Sequence, residues 1–295
     1  MKSVSVLAPA KLNLALDIVG LMPNGYHDLD MIMQTITLYE KVTLTKADDI
    51  NLVLPGSFVA ANEKNTAYKA ASLFFGYTGI KGGANIEVRK RVPVRAGMAG
   101  GSADAAGVLV GLNELYRAHL SMSELCALGA KVGADVPFAL MGGTCRVQGV
   151  GDLIRALPPC PDCWFVVVMP SVGVSTPEAF KKYDEVGSSV HPDCAAQEQA
   201  VRDGDLLGIC KACGNALEEC SGAVETPHIR GVLDAYGAIA SMMTGSGAAV
   251  FGIFDSKDNA EMAVAMLRKE YRKVYLTRPD KGGARVIYQR RPTQK

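Results

Sequence analysis

The sequence lacks a dominant charge: 31 Lys and Arg stand against 30 Asp and Glu, leaving a net charge of +1. No global basic field exists to draw in nucleic acid or an anionic membrane surface, so both partner classes are set aside. No apolar run reaches the ~18 residues of a membrane-spanning helix. The start, MKSVSVLAPAKLNLALDIVG, carries no uninterrupted apolar core of the secretory kind. Lys11, Asn13 and Asp17 break it into an alternating pattern, which reads as a strand, and the expected compartment is the cytoplasm. The Gly-Lys dipeptide is missing too, which excludes a P-loop. The dinucleotide fingerprint GxGxxG also fails, because Ala99 stands where its second glycine belongs, so a Rossmann dehydrogenase is a poor fit.

Hydrophobic residues make up 48% of the chain, which excludes disorder. At 295 residues the chain is expected to form two domains. The Pro/Cys stretch Leu157-Pro-Pro-Cys-Pro-Asp-Cys163 marks the seam, giving domains 1–158 and 159–295. Eight cysteines include two CxxC pairs, Cys160/Cys163 and Cys210/Cys213. A structural zinc is one reading. The preferred reading is packing: Cys210 and Cys213 sit at i, i+3 beside Leu206, Ile209 and Leu217, and the first pair falls in a linker. No metal ligand is assigned.

Patterning predicts strands over 3–19, 35–46, 84–90 and 164–169, and helices over 65–76, 102–117, 177–184, 195–220, 225–236 and 257–270. Strands are expected across 240–254, 271–278 and 284–289, and 289–295 reads as a solvated basic tail. The fold class is α+β.

The surplus is in glycine, 31 residues, several of them clustered. Pro93-Val-Arg-Ala-Gly97-Met98-Ala99-Gly100-Gly101-Ser102-Ala-Asp104 lies between a predicted strand and a predicted helix. Glycines allow close backbone approach, and the following helix presents unpaired N–H groups, so together they make an anion cradle. Ser102 is equally expected as a helix cap, and Asp104 as a complement to the helix dipole. Two more segments accompany the loop: Lys131-Val-Gly-Ala-Asp135-Val-Pro137, and Thr244-Gly245-Ser246-Gly247 between β-like runs.

With Pro9-Ala10-Lys11-Leu12-Asn13 at the start and Asn24-Gly25-Tyr26-His27-Asp28 after it, the ordered set resembles the GHMP small-molecule kinases. The sharper likeness is to the branch that phosphorylates the 2-hydroxyl of a cytidine-diphosphate-linked methylerythritol. The resemblance runs from residue 8 to about 254. It implies an N-terminal ATP-binding domain like domain 2 of ribosomal protein S5 and a ferredoxin-like C-terminal domain. ATP and Mg²⁺ are the implied cofactors, and a small molecule is the implied partner, with monomer and homodimer both open.

By that resemblance Asp135 is the base that takes the hydroxyl proton, with Lys11 beside it. Gly97, Met98, Ala99, Gly100, Gly101 and Ser102 wrap the phosphates. Pro93 leads into that loop, Lys90 lies toward the adenosine side or the phosphates, and Asn65 lies near the adenine. Tyr26 and Phe180 stack on cytosine, His27 bonds its polar edge, and Thr176 donates to the substrate. Asn13 shares a strand face with Lys11, two residues away. Gly245 and Gly247 let backbone approach the phosphates or the methylerythritol end. Ser102 is a candidate for Mg²⁺. Two departures from the family pattern stand out: Ala99 for a common glycine, expected to fit with negative φ, and Ala103 for a second serine.

Overall fold

A computed structural model describes residues 3–287. The strands are β1 (Val4–Leu21), β2 (His27–Ala47), β3 (Asn51–Val53), β4 (Gly83–Arg89), β5 (Thr144–Gly149), β6 (Leu153–Ala156), β7 (Trp164–Val168), β8 (Gly214–Asn215), β9 (Ala240–Met243), β10 (Val250–Phe254), β11 (Val274–Thr277) and β12 (Arg285–Val286). The helices are α1 (Thr66–Thr78), α2 (Gly100–Tyr116), α3 (Met122–Ala130), α4 (Asp135–Met141), α5 (Thr176–Val186), α6 (Cys194–Asp203), α7 (Leu206–Lys211), α8 (Thr226–Ala235) and α9 (Lys257–Leu267).

The first sheet is built on the long antiparallel pair β1–β2. The two halves of β2 then take different partners: residues 29–34 pair with β5 and residues 41–47 with β4. Register shifts in β1 fall between Pro9 and Ala10 and between Asn13 and Ala15, on either side of Lys11 and Asn13. Bulges of this kind bend a strand and re-aim its side chains. Strands β8 and β12, both from the second half of the chain, also pair with β1.

Helix α2 lies against β1, β2 and α1. Its small residues Ala103, Ala105, Ala106 and Gly107 are buried, as are Val108, Leu109 and Leu112. A helix apolar on nearly every side belongs inside a core, and here that core also holds Val42, Leu44, Phe74 and Ile86. The second sheet has the order β11-β7-β10-β9 and is antiparallel throughout. Helices α8 and α9 cover one face, burying Ile229, Leu233, Ala263 and Leu267 against Val166, Val168 and Phe254.

Two expectations need correction. The segment 195–220 is not one helix: α6 stops at the left-handed Gly204, α7 is short, and the chain then turns into β8. The Cys160/Cys163 segment runs as an irregular connector between β6 and β7, with Cys160 9% and Cys163 2% exposed. Cys213 lies beyond the end of α7, so the Cys210/Cys213 stripe is only partly helical. The basic tail 289–295 and the last residues of the 284–289 strand lie outside the described residues.

Among the described residues no helix is long and apolar enough to cross a membrane. Cys160, Cys163 and Cys210 are buried in one apolar cluster, with Cys213 packed against it. Burial pushes the Cys210 thiol up to about 12, and burial raises Cys213 as well, with the neighbouring sulfurs adding to both. Such thiols stay protonated near neutrality and pack as small apolar groups. Among the described residues no group of three or more His, Cys, Asp or Glu is arranged to hold a metal ion.

Candidate active site

One cavity of about 970 Å³ gathers residues from both halves of the chain. Its wall includes Lys11, Asn13, Tyr26, His27, Asn65, Lys90, Pro93, Gly97, Met98, Ala99, Gly100, Gly101, Ser102, Asp135, Thr176, Phe180 and Gly245. Gly247 is not in the wall; a Cβ there would meet Met243 Sδ at 2.7 Å.

Lys11 and Asn13 sit on one face of β1, 5% and 0% exposed, and Lys11 Nζ donates to Asn13 Oδ1. Burial lowers the Lys11 pKa below the ordinary lysine value, and the charge of Asp135 opposes that shift. Asp135 opens α4 as its first residue, half-buried in the cavity wall. Two backbone contacts tie β1 to the glycine segments: Lys11 N–H donates to Met98 O at 3.2 Å, and Asn13 N–H donates to Thr244 Oγ1 at 2.9 Å. The Asn13 amide nitrogen faces Met31 Sδ at 3.3 Å.

The phosphate-type loop ends in a bare helix start. The residue before α2 is Ala99 at φ 55, with no side-chain cap bond. Gly100, Gly101 and Ser102 therefore occupy the first turn, where N–H groups have no partner within the helix and the dipole is positive. Two first-turn carbonyls also accept side-chain bonds: Thr66 Oγ1 donates to Gly101 O at 2.7 Å and Lys90 Nζ to Gly100 O at 3.4 Å. Ser102 is thus the third helical residue and not the cap. Ala99 takes positive φ, contrary to expectation.

Lys90 is not free at a strand end. Its ammonium lies 2.6 Å from both Glu40 Oε1 and Asp104 Oδ2. Asp104 consequently pairs with Lys90 and does not serve mainly as a dipole partner. Burial raises Asp104 to about 7; Glu40 adds to the rise and Lys90 opposes it. Burial raises Glu40 too, against Lys90 and the Arg91 N–H. For Lys90 burial alone would lower the pKa, but the two carboxylates outweigh it and hold the ammonium charged. Asp104 Oδ1 is buried without a hydrogen-bond partner.

Asn65 caps α1, accepting from Ala67 N–H, while its amide nitrogen donates to Ala60 O at 2.9 Å. Thr176 and Ser246 join through their hydroxyls at 2.8 Å. At the other end of the cavity the His27 and Phe180 rings stack, centroids 4.7 Å apart and planes 25° from parallel. His27 Nε2 lies 2.7 Å from Asp184 Oδ1. No base fits between those two rings at that spacing, so any sandwich involves Tyr26, which is 66% exposed, and the opposite side of Phe180.

Sequence reasoning assigned no role to Lys64, Arg95, Asp184 or Ser246, which also line the cavity. Ser246 stood between two flagged glycines, so a signal existed. Asp184 lies 157 residues from its partner His27, and nothing local marked it.

Comparison with known proteins decides the family. The chain matches the GHMP kinases N terminal domain over residues 65–143 and the GHMP kinases C terminal domain over residues 197–273. It is 42% identical to the 4-diphosphocytidyl-2-C-methyl-D-erythritol kinase of Lachnoclostridium phytofermentans, over 89% of this chain and 92% of that one. The chain belongs to this family. The kinase of the same name from Clostridium tetani is 38% identical, over 93% of this chain and 99% of that one. A crystal structure of 4-(cytidine 5'-diphospho)-2C-methyl-D-erythritol kinase superposes with a TM-score of 0.79 at 32% identity, covering 94% of this chain and 100% of that one. Homoserine kinase from Cytophaga hutchinsonii superposes at 0.77 with 18% identity, covering 97% of this chain and 98% of that one, and shares the fold. Both expected halves of the GHMP kinase architecture are therefore present.

Proposed function

We propose that this protein transfers the γ-phosphoryl group of ATP to the 2-hydroxyl of 4-diphosphocytidyl-2-C-methyl-D-erythritol. The observation that carries the reading is the meeting, in one cavity, of the Lys11–Asp135 pair, the uncapped start of α2 and the Tyr26–His27–Phe180 aromatic group. The identity to relatives of that name supports the substrate.

Phosphoryl transfer depends on positioning and on charge stabilisation. In this reading the first-turn N–H groups of α2 receive the ATP phosphates, which explains how a nearly neutral chain handles anions. Asn65, Lys90 and Pro93 border the nucleoside. Asp135 accepts the proton of the attacking hydroxyl, and the buried Lys11 charge stabilises the negative charge that gathers on the transferred group. Lys11 is held toward that point by Asn13. Phe180 and Tyr26 offer faces to cytosine, and His27 offers a ring nitrogen.

Mg²⁺ fits the chemistry of this wall. The donors near the helix start are hard oxygens, Ser102 Oγ and the carboxylate of Asp104, whose Oδ1 is unpartnered. Ser102 is the residue we assign to it; a magnesium carried by phosphates needs few protein ligands. When bound it supplies neutralisation of the phosphate oxygens.

A substrate panel tests the reading. With MgATP, purified protein should turn over the cytidine-linked methylerythritol and leave mevalonate and homoserine untouched. The reverse preference removes the assignment.

A further inference from the structure

The Gly245–Ser246 turn is gripped from behind. Asn215, on the short strand β8 and 1% exposed, donates through Nδ2 to Met243 O at 2.9 Å and to Gly245 O at 2.8 Å. Its Oδ1 accepts from Leu217 N–H at 2.9 Å, which fixes which side of the amide faces the turn. Three residues on, Glu218 Oε2 accepts from Met243 N–H at 2.6 Å. Strand β8 is in turn anchored on β1, with Leu16 paired to Asn215. The turn's carbonyls are thus referenced to the strand that carries Lys11 and Asn13.

A trans peptide is planar, with its C=O and N–H pointing in opposite directions. Holding Gly245 O toward Asn215 therefore aims the Ser246 N–H the other way. Gly245 and Ser246 line the cavity and Asn215 does not, so that other side is the cavity side. No donor–acceptor pair within the described residues uses the Ser246 N–H. Removing Asn215 would leave two buried carbonyls without a donor, which the turn can relieve only by rotating that peptide.

We propose that Asn215 is a positioning residue: by fixing the Gly245–Ser246 peptide it presents the Ser246 N–H as a donor to a phosphate oxygen of a bound ligand. The inference rests on the kinase reading above. The phosphate oxygen belongs either to ATP or to the diphosphate of the alcohol substrate.

The test uses Asn215→Asp and Asn215→Ala in the full chain. The aspartate keeps the size and the bond from Leu217 but, when ionised, faces both carbonyls with a repelling oxygen. Its protonation restores one donor. Steady-state assays at pH 6–8.5 should show the KM for one phosphate-bearing ligand raised about tenfold at high pH in Asn215→Asp. That KM should recover toward wild type as pH falls, while the other KM stays within threefold. A rise in the KM of ATP assigns the donor to ATP, and a rise in that of the alcohol assigns it to the substrate diphosphate. Asn215→Ala should raise the same KM at every pH. Thermal melts identify a folding defect. If Asn215→Asp is unfolded, Asn215→Ala decides alone. Unchanged KM values in folded variants, or, in folded Asn215→Asp, a lowered melting temperature with no pH-dependent KM change, overturn the proposal. If wild-type protein fails to turn over the substrate, the kinase reading falls. Calorimetry with ATP and inorganic pyrophosphate then decides the inference: equal binding by wild type and variants sinks it.

Discussion

Gly97 and Gly245 pack backbone against backbone. A Cβ on Gly97 would lie 2.0 Å from Thr244 O, and one on Gly245 would lie 2.7 Å from Gly97 O. Both take positive φ, 71 and 58. The phosphate-type loop and the turn of the second half are therefore one assembly, closed further by the bonds from Ala248 N–H to Arg95 O and from Ala249 N–H to Ala96 O. Gly97→Ala must push the two apart. It should destabilise the protein by about 2 kcal/mol and raise the KM for ATP at least tenfold, because contact and dihedral are both violated. Melting curves and initial rates check this; unchanged values in both would mean that the loop and turn are not rigidly joined.

Ala99 at φ 55 stands one residue before the bare start of α2. A non-glycine residue there costs about 1–2 kcal/mol, offset in part by the unfolded-chain entropy that glycine would add. Ala99→Gly should therefore stabilise the protein by about 0.5–1 kcal/mol in urea titration. Destabilisation by that amount would contradict the left-handed conformation.

The Glu40–Lys90–Asp104 cluster makes stability depend on pH. Asp104 is raised to about 7 in the folded protein, above its ordinary value of 3.8. Between those values the folded state holds a proton that the unfolded state has lost, so this group's contribution falls as pH rises through about 7. Asp104→Asn removes the surplus carboxylate and leaves Glu40 paired with Lys90. Its stability relative to wild type should improve by about 1 kcal/mol or more between pH 5 and pH 8. A difference that stays constant over that range would show that Asp104 does not titrate there.

Phe180 and His27 stack across the two halves of the chain. Phe180→Ala should raise the KM for the cytidine-linked substrate about tenfold, the loss expected of one stacking face. The KM for ATP should stay within threefold. Equal effects on both would make Phe180 a packing residue.

Some of this was legible in the sequence for physical reasons. Period-two alternation placed Lys11 and Asn13 on one face of β1, and Asn65 sat where a cap belongs. What stayed hidden depended on distant partners. Nothing near Lys90 announced that Glu40, 50 residues earlier, would share its charge. The bulges around Lys11 and Asn13 leave no mark in composition. The break at Gly204 was marked by its glycine, yet the apolar spacing on either side still read as one helix. The left-handed Ala99 reversed a sign expectation, because the requirement to start α2 there outweighs the cost of its methyl group.

In the proposed reaction Asp135, opposite Lys11, activates an alcohol toward the γ-phosphate. The most direct measurement is ³¹P NMR of a reaction of wild-type protein and Asp135→Asn with MgATP and 4-diphosphocytidyl-2-C-methyl-D-erythritol. Wild type should give a new phosphomonoester signal beside the intact diphosphate, formed about 10²–10⁴-fold more slowly by the folded variant. Loss of ATP without a monoester signal, or equal rates for the two proteins, would contradict it.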